Sequence, residues 1–150
     1  PEIGEVPLVF PEAQLAQVAR IDKTKNRDFF FAGQITPERN WLESYDGVSP
    51  SGYGRDPKTK YIFHEEYFLS LSAARYGLSP VGDCPWSYRF FESIMCYAIP
   101  VLGDHDADVF SESFKYYRHA DEKVYRKETA EENYKNLIRM HTLRGIGIRD

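Results

Sequence analysis

Ser87, Arg89 and Glu92 stand in S-Y-R-F-F-E, directly after the turn V-G-D-C-P-W. A serine at a helix start offers its hydroxyl to a free backbone N–H or to a ligand oxygen. The helix N-terminus attracts anions through its dipole and its unpaired N–H groups, and an arginine in the first turn adds a planar, positive fork suited to phosphate. Glu92, one turn further on, is an acceptor facing the same way and suits the vicinal hydroxyls of a ribose or another sugar. A diphosphate joined to a sugar is the chemistry these three residues share. The same spacing also describes a capped helix with an i,i+3 surface ion pair contributing roughly 0.2–0.5 kcal/mol.

The elements that must position these residues can be read from periodicity. At 100° per residue, Phe90, Phe91, Ile94, Met95 and Ala98 share one arc, and Arg89, Glu92, Ser93 and Cys96 the opposite one. The apolar arc is expected to pack on a sheet. Upstream, residues 1–27 form an N-terminal lead-in with a short helix opened by Pro11 and Glu12, and the charged turn DKTKNRD ends it. DFFFAGQ has the length and continuous apolarity of a strand covered on both faces. Gly33 closes it, and TPERNWLES opens a helix.

Residues 46–60 read as a loop rich in Gly, Pro and Ser, where Tyr53 is placed to stack on a base or to cover the sheet edge. A helix over 65–75, a strand in YGLSPVG, the S-Y-R-F-F-E helix, a strand in IPVLG and a strand in FKYYRH follow. Thr129 and Glu132 form a T-x-x-E capping box for the last helix, which carries Tyr134, Leu137, Ile138 and His141 at helical spacing. Strands alternating with helices imply one α/β domain over 28–150, a Rossmann-like, mainly parallel sheet flanked by helices. Ligands of such sheets bind at the carboxyl ends of the strands. The loops GQITPER and SPVGDCPWS have that position.

Other chemistry is less well supplied. The net charge of −4, with 19 basic and 23 acidic residues interspersed, lacks the basic stripe of a nucleic-acid binder. D-H-D-A-D at 104–108 offers metal-ligand types but reads as a polar turn, because successive residues cannot all converge on one ion. His64, Glu65 and Glu66 resemble the start of HExxH, but Phe68 occupies the second histidine position. His141 falls on an apolar face. Cys84 and Cys96 have no visible histidine partner, so a small hydrolase or phosphatase has neither nucleophile nor base. No apolar run reaches the roughly 18–20 residues that span a bilayer. A start at Pro1 is expected of a processed product, an excised domain or part of a longer chain, and a bacterial or viral cytoplasm and a secretory lumen both fit.

The stretch RYGLSPVGDCPWSYRFFESIMCYAIPVLGD resembles the donor-binding core of exostosin-like glycosyltransferases: a strand ending in P-x-G, then S-x-R-x-x-E, then I-P-V. Pro80, Gly82, Ser87, Arg89, Glu92, Ile99, Pro100 and Val101 carry the pattern. FFFAG, ending at Gly33, and Arg39 resemble the first strand and the phosphate-side basic residue. The resemblance covers roughly residues 28–104. It implies the C-terminal half of a GT-B fold that binds a nucleotide-sugar, with Arg39 and Arg89 facing the diphosphate, Glu92 holding the ribose and Asp104 near the donor cleft. It further implies no metal or other cofactor, a carbohydrate or glycoconjugate acceptor, and a second Rossmann-like domain supplying the catalytic base. Where many members place glycine before I-P-V, this chain has Tyr97 and Ala98. The expected function is inverting, metal-independent glycosyl transfer; the alternative is a non-catalytic nucleotide- or sugar-phosphate-binding module used for assembly or regulation.

Overall fold

Phe30 and Phe31 are neighbours on the first strand and are both buried, at 7% and 1% exposure. Adjacent side chains on a strand point to opposite faces, so burying both requires cover on both sides. The computed structural model, which describes residues 9–50, 65–81, 87–107, 112–142, 145 and 147, shows that cover. Its elements run α1 (Glu12–Ala19), β1 (Arg27–Gly33), a 3-10 helix (Pro37–Ser44), β2 (Val48–Pro50), α2 (Glu65–Ser72), β3 (Ala74–Leu78), α3 (Tyr88–Met95), β4 (Ile99–Leu102), β5 (Tyr117–Arg118) and α4 (Lys127–His141). The sheet has the order β2-β1-β3-β4-β5, and every pairing is parallel. The fold is α/β and Rossmann-like.

Phe30 joins the larger core, beneath α1, α2, α3 and α4, whereas Phe31 joins Leu42, Tyr76, Leu78, Ile99 and Val101 on the other face. That second face is aromatic: Phe29 stacks on Tyr76 at 5.4 Å, and Tyr117 and Tyr125 meet Tyr76 edge-on. Much of the tyrosine content thus lines a sheet face. At the amino end of the sheet, the Lys25 ammonium donates to the carbonyls of Ser72 at 2.7 Å and Cys96 at 2.6 Å. Those carbonyls end α2 and α3, where a cation complements the helix dipoles. Lys23 bonds Val18 and Ile21 in the same way at the end of α1.

Several expectations are corrected. Val48–Pro50, read as loop, forms an edge strand in register with Phe31–Gly33, because Gly47 at φ +84° turns the chain back alongside β1. The helix expected over 65–75 ends at Ser72, and Ala74 and Arg75 already belong to β3. FKYYRH contributes only Tyr117 and Arg118 to the sheet, and TPERNWLES winds as a 3-10 helix. The capping box is not formed: α4 begins at Lys127, Thr129 lies inside its first turn, and the N-cap is Arg126, with no side-chain cap bond.

The arcs of α3 also need correction. Ser93 and Cys96, assigned to the polar side, are buried at 1% and 0% exposure. Ser93 faces β3, where Gly77 lacks the Cβ that would collide with its hydroxyl. A serine is tolerated against the sheet because its O–H donates to the Arg89 carbonyl at 2.8 Å within its own helix. Phe90 and Phe91 instead meet Phe114 at 5.8 and 6.0 Å, with Phe91 also contacting Phe10 and, on α4, His141. The helix is clasped between sheet and helices rather than laid on the sheet by one apolar stripe.

Candidate functional site

The chain leaves β1 for β2 on one side and then passes to β3 on the other, so the crevice between the carboxyl ends of β1 and β3 is the topological switch point. Gly33, Arg39, Pro80, Ser87 and Arg89 surround this crevice. Arg39, in the first turn of the 3-10 helix, donates to the carbonyls of Gln34 at 3.0 Å and Val81 at 3.4 Å, which ties the loop after β1 to the loop after β3. Arg89 reaches from α3 to the carbonyl of Ala32, with Nε at 3.4 Å and Nη2 at 3.3 Å, and its guanidinium lies 5.0 Å from the centre of the Phe31 ring. The two guanidinia are therefore anchored to carbonyls on either side of Gly33. A Cβ on Gly33 would collide with the Arg89 guanidinium, so glycine is what admits that side chain to the strand end.

Ser87 occupies the N-cap position of α3 with an extended backbone, φ −133° and ψ 153°. Its hydroxyl is buried and makes no cap bond, and it has no hydrogen-bond partner among the described residues. A buried hydroxyl left this way is costly, by roughly 1–3 kcal/mol, unless something else meets it. Pro80 is buried at the end of β3, and Gly82, like Tyr53, His64, Cys84 and Asp108, lies outside the described residues.

Glu92 accepts a hydrogen bond from the Tyr67 hydroxyl at 3.1 Å. Burial, with the Glu92 charge adding to it and Arg89 opposing, holds the Tyr67 phenol well above its ordinary pKa. Arg89, Glu92 and Tyr67 thus form one electrostatic group beside β1. Helical spacing puts Tyr67 with Phe68 and Leu71 on one side of α2, and a tyrosine on that side, with a hydroxyl to satisfy, is the signal available in the sequence.

Asp104 lies at the carboxyl end of β4. It sits in the turn after β4, exposed, and accepts from the Ala120 N–H at 2.9 Å. Asp106 accepts from the Gly103 N–H at 2.7 Å, and Arg118 Nη1 donates to the carbonyls of Gly103 and Asp106 at 2.8 and 2.9 Å. The polar turn is thereby knitted to the end of β5. Next to it the Tyr45 hydroxyl and His119 Nδ1 share a 2.8 Å hydrogen bond, and Trp41 packs on His119 at 5.4 Å. Sequence reasoning missed Trp41, Tyr45, Arg118 and His119 as a group, because they come from the 3-10 helix and the end of β5. Burial and the Asp104 charge both raise the Tyr45 phenol.

Burial pushes the Cys96 thiol up to about 12, which leaves it an inert core group. His141 is buried among Phe10, Phe91 and Phe114. Among the described residues no three His, Cys, Asp or Glu side chains are grouped to hold a metal ion, and no helix is long and apolar enough to cross a membrane. No protein-family model matches the chain, and no curated protein matches it either. What the geometry defines is a parallel α/β domain whose switch-point crevice carries two anchored arginines, a glycine and a buried serine hydroxyl.

Proposed function

We propose that this domain binds the nucleotide part of a nucleotide-sugar and serves inverting, metal-independent glycosyl transfer. The observation that carries the reading is the convergence of Arg39 and Arg89 on the two sides of Gly33, at the switch point of a parallel sheet. A diphosphate there would meet two planar cations and the N-terminal end of α3, with the Ser87 hydroxyl as a further donor. Such groups stabilise the negative charge that develops on a departing nucleoside diphosphate, which is the service a metal ion performs in other transferases. Glu92 would take the ribose. Asp104, in the turn after β4, would meet a sugar hydroxyl. The acceptor site and the catalytic base would come from a second Rossmann-like domain.

The other reading is a non-catalytic module that holds a nucleotide or sugar phosphate for assembly or regulation. The buried Ser87 hydroxyl, which has no partner among the described residues, supports a ligand under both readings, and turnover distinguishes them. Calorimetric titration with UDP, GDP, ADP and TDP tests the shared core. Arg89→Ala should weaken binding by roughly ten- to a hundredfold, as expected for loss of a hydrogen bond to a charged group. Absence of binding by all four diphosphates, or equal binding by the variant, would overturn the proposal.

A further inference from the structure

β2 begins only opposite Phe31, so among the described residues the first part of β1 has no strand beside it on that edge. The cause is Gly47, whose left-handed turn at φ +84° brings the chain alongside β1 just where its carbonyl accepts from the Phe31 N–H. The gap this leaves is a cavity of about 530 Å³, with Arg27, Asp28, Phe29, Tyr45, Asp46 and Gly47 in its lining. That volume falls within the roughly 300–1,000 Å³ of small-molecule sites. The half-buried rings of Phe29 and Tyr45, packed edge-on at 4.6 Å, supply an apolar wall, and the Tyr45 hydroxyl is taken up by His119. Arg27 and Asp46 are exposed, and among the described residues neither side chain has a hydrogen bond or an ion pair. Asp28 is paired with Arg75 at 3.0 Å. Two carboxylates are thus balanced by two guanidinia, so the cavity favours neither an anion nor a cation.

A ligand suited to this place is uncharged, apolar on one side, and carries both donors and acceptors around its rim. A pyranose has that form. Its C–H groups, slightly positive, match the negative face of an aromatic ring, while a carboxylate accepts from one hydroxyl and a guanidinium donates to another. We propose that this cavity binds a neutral carbohydrate, with a pyranose ring against Phe29 and Tyr45 and its hydroxyls meeting Asp46 and Arg27. The site is separate from the switch-point crevice, because Arg27 and Gly33 stand at opposite ends of β1, about 20 Å apart at the rise of a strand. The inference therefore does not depend on the nucleotide-binding reading.

The test is an amide NMR titration of the full chain with cellobiose, maltose and lactose, without nucleotide. At least one should move the amides of residues 27–29 and 44–47 saturably in the millimolar range, and saturation of aromatic protons should pass to the sugar's ring C–H protons. Asp46→Ala and Arg27→Ala change exposed side chains and leave the core untouched. Each should weaken sugar binding by about tenfold or more, the loss of one hydrogen bond to a charged group. Inorganic phosphate and methylammonium serve as anion and cation probes, and neither should saturate at these amides. Failure of all three sugars to move them, sugar binding unchanged in both variants, or saturable binding of either ion in place of sugar overturns the inference. The nucleotide-binding reading stands or falls separately, by its own titration with the four diphosphates.

Discussion

Tyr97 follows α3 in the left-handed conformation, at φ 56°, the position at which glycine most often ends a helix. Its N–H donates to the Ile94 carbonyl at 3.1 Å, and its own carbonyl accepts from the Tyr125 hydroxyl at 2.8 Å. A non-glycine residue there carries about 1 kcal/mol of backbone strain. Against this, the ring meets Tyr134 edge-on at 4.9 Å, an arrangement contributing about 0.5–1.5 kcal/mol beyond its area burial. Tyr97→Gly loses the ring contact but relieves the strain, whereas Tyr97→Ala loses the contact and keeps the strain. Wild type should therefore be the most stable, and Tyr97→Gly should exceed Tyr97→Ala by about 1 kcal/mol, or roughly 2–4 °C in Tm for a domain of this size. That order inverts ordinary helix propensity, in which alanine is the better residue. Urea unfolding of the three proteins, compared by midpoint at equal slope, measures the gap. Equal stability of the two variants, or an advantage for alanine, would refute the conformation assigned to this turn.

Gly77→Ala should cost about 1–3 kcal/mol in urea unfolding, because the new Cβ collides with the Ser93 hydroxyl in a closed space; adding Ser93→Ala should recover part of the loss. Cys96 gives a pH signature. Its folded-state pKa is raised to about 12 from an ordinary 9.0, so the stability it contributes is complete below pH 9 and is lost as pH rises toward 12. Melts across that window should fall less steeply for Cys96→Ala than for wild type. In a Cys84→Ser background, iodoacetamide should label Cys96 only as fast as the domain unfolds, and rapid labelling of the folded protein would contradict its burial.

The alternation of strands and helices was legible because it is local: FFFAG and IPVL are apolar runs of strand length, bounded by turns and separated by helical periods. The covered-on-both-faces reading of DFFFAGQ followed from its continuous apolar run, where a half-exposed strand would alternate. Local signals also misled. T-x-x-E promised a helix start at Thr129, yet the backbone bonds of Thr129 and Ala130 to the Arg126 carbonyl start α4 earlier. Polarity put Ser93 outside, although a side chain that bonds its own helix can face a glycine.

The site was legible only as a set of types. Arg39 and Arg89 are cations beside turns that lead away from strands, and Ser87 is a helix start, so their chemistry could be named from sequence. That Arg39 and Arg89 bond carbonyls on the two sides of Gly33 depends on β1 lying next to β3 and on α3 packing beside them. Tyr67 meets Glu92 across 25 positions, and Lys25 joins the end of α3 across 71. No periodicity encodes contacts at such separations. They exist because burying one continuous core brings two helix ends, two strand ends and a few polar groups into the same small volume, where each buried polar group must find a partner.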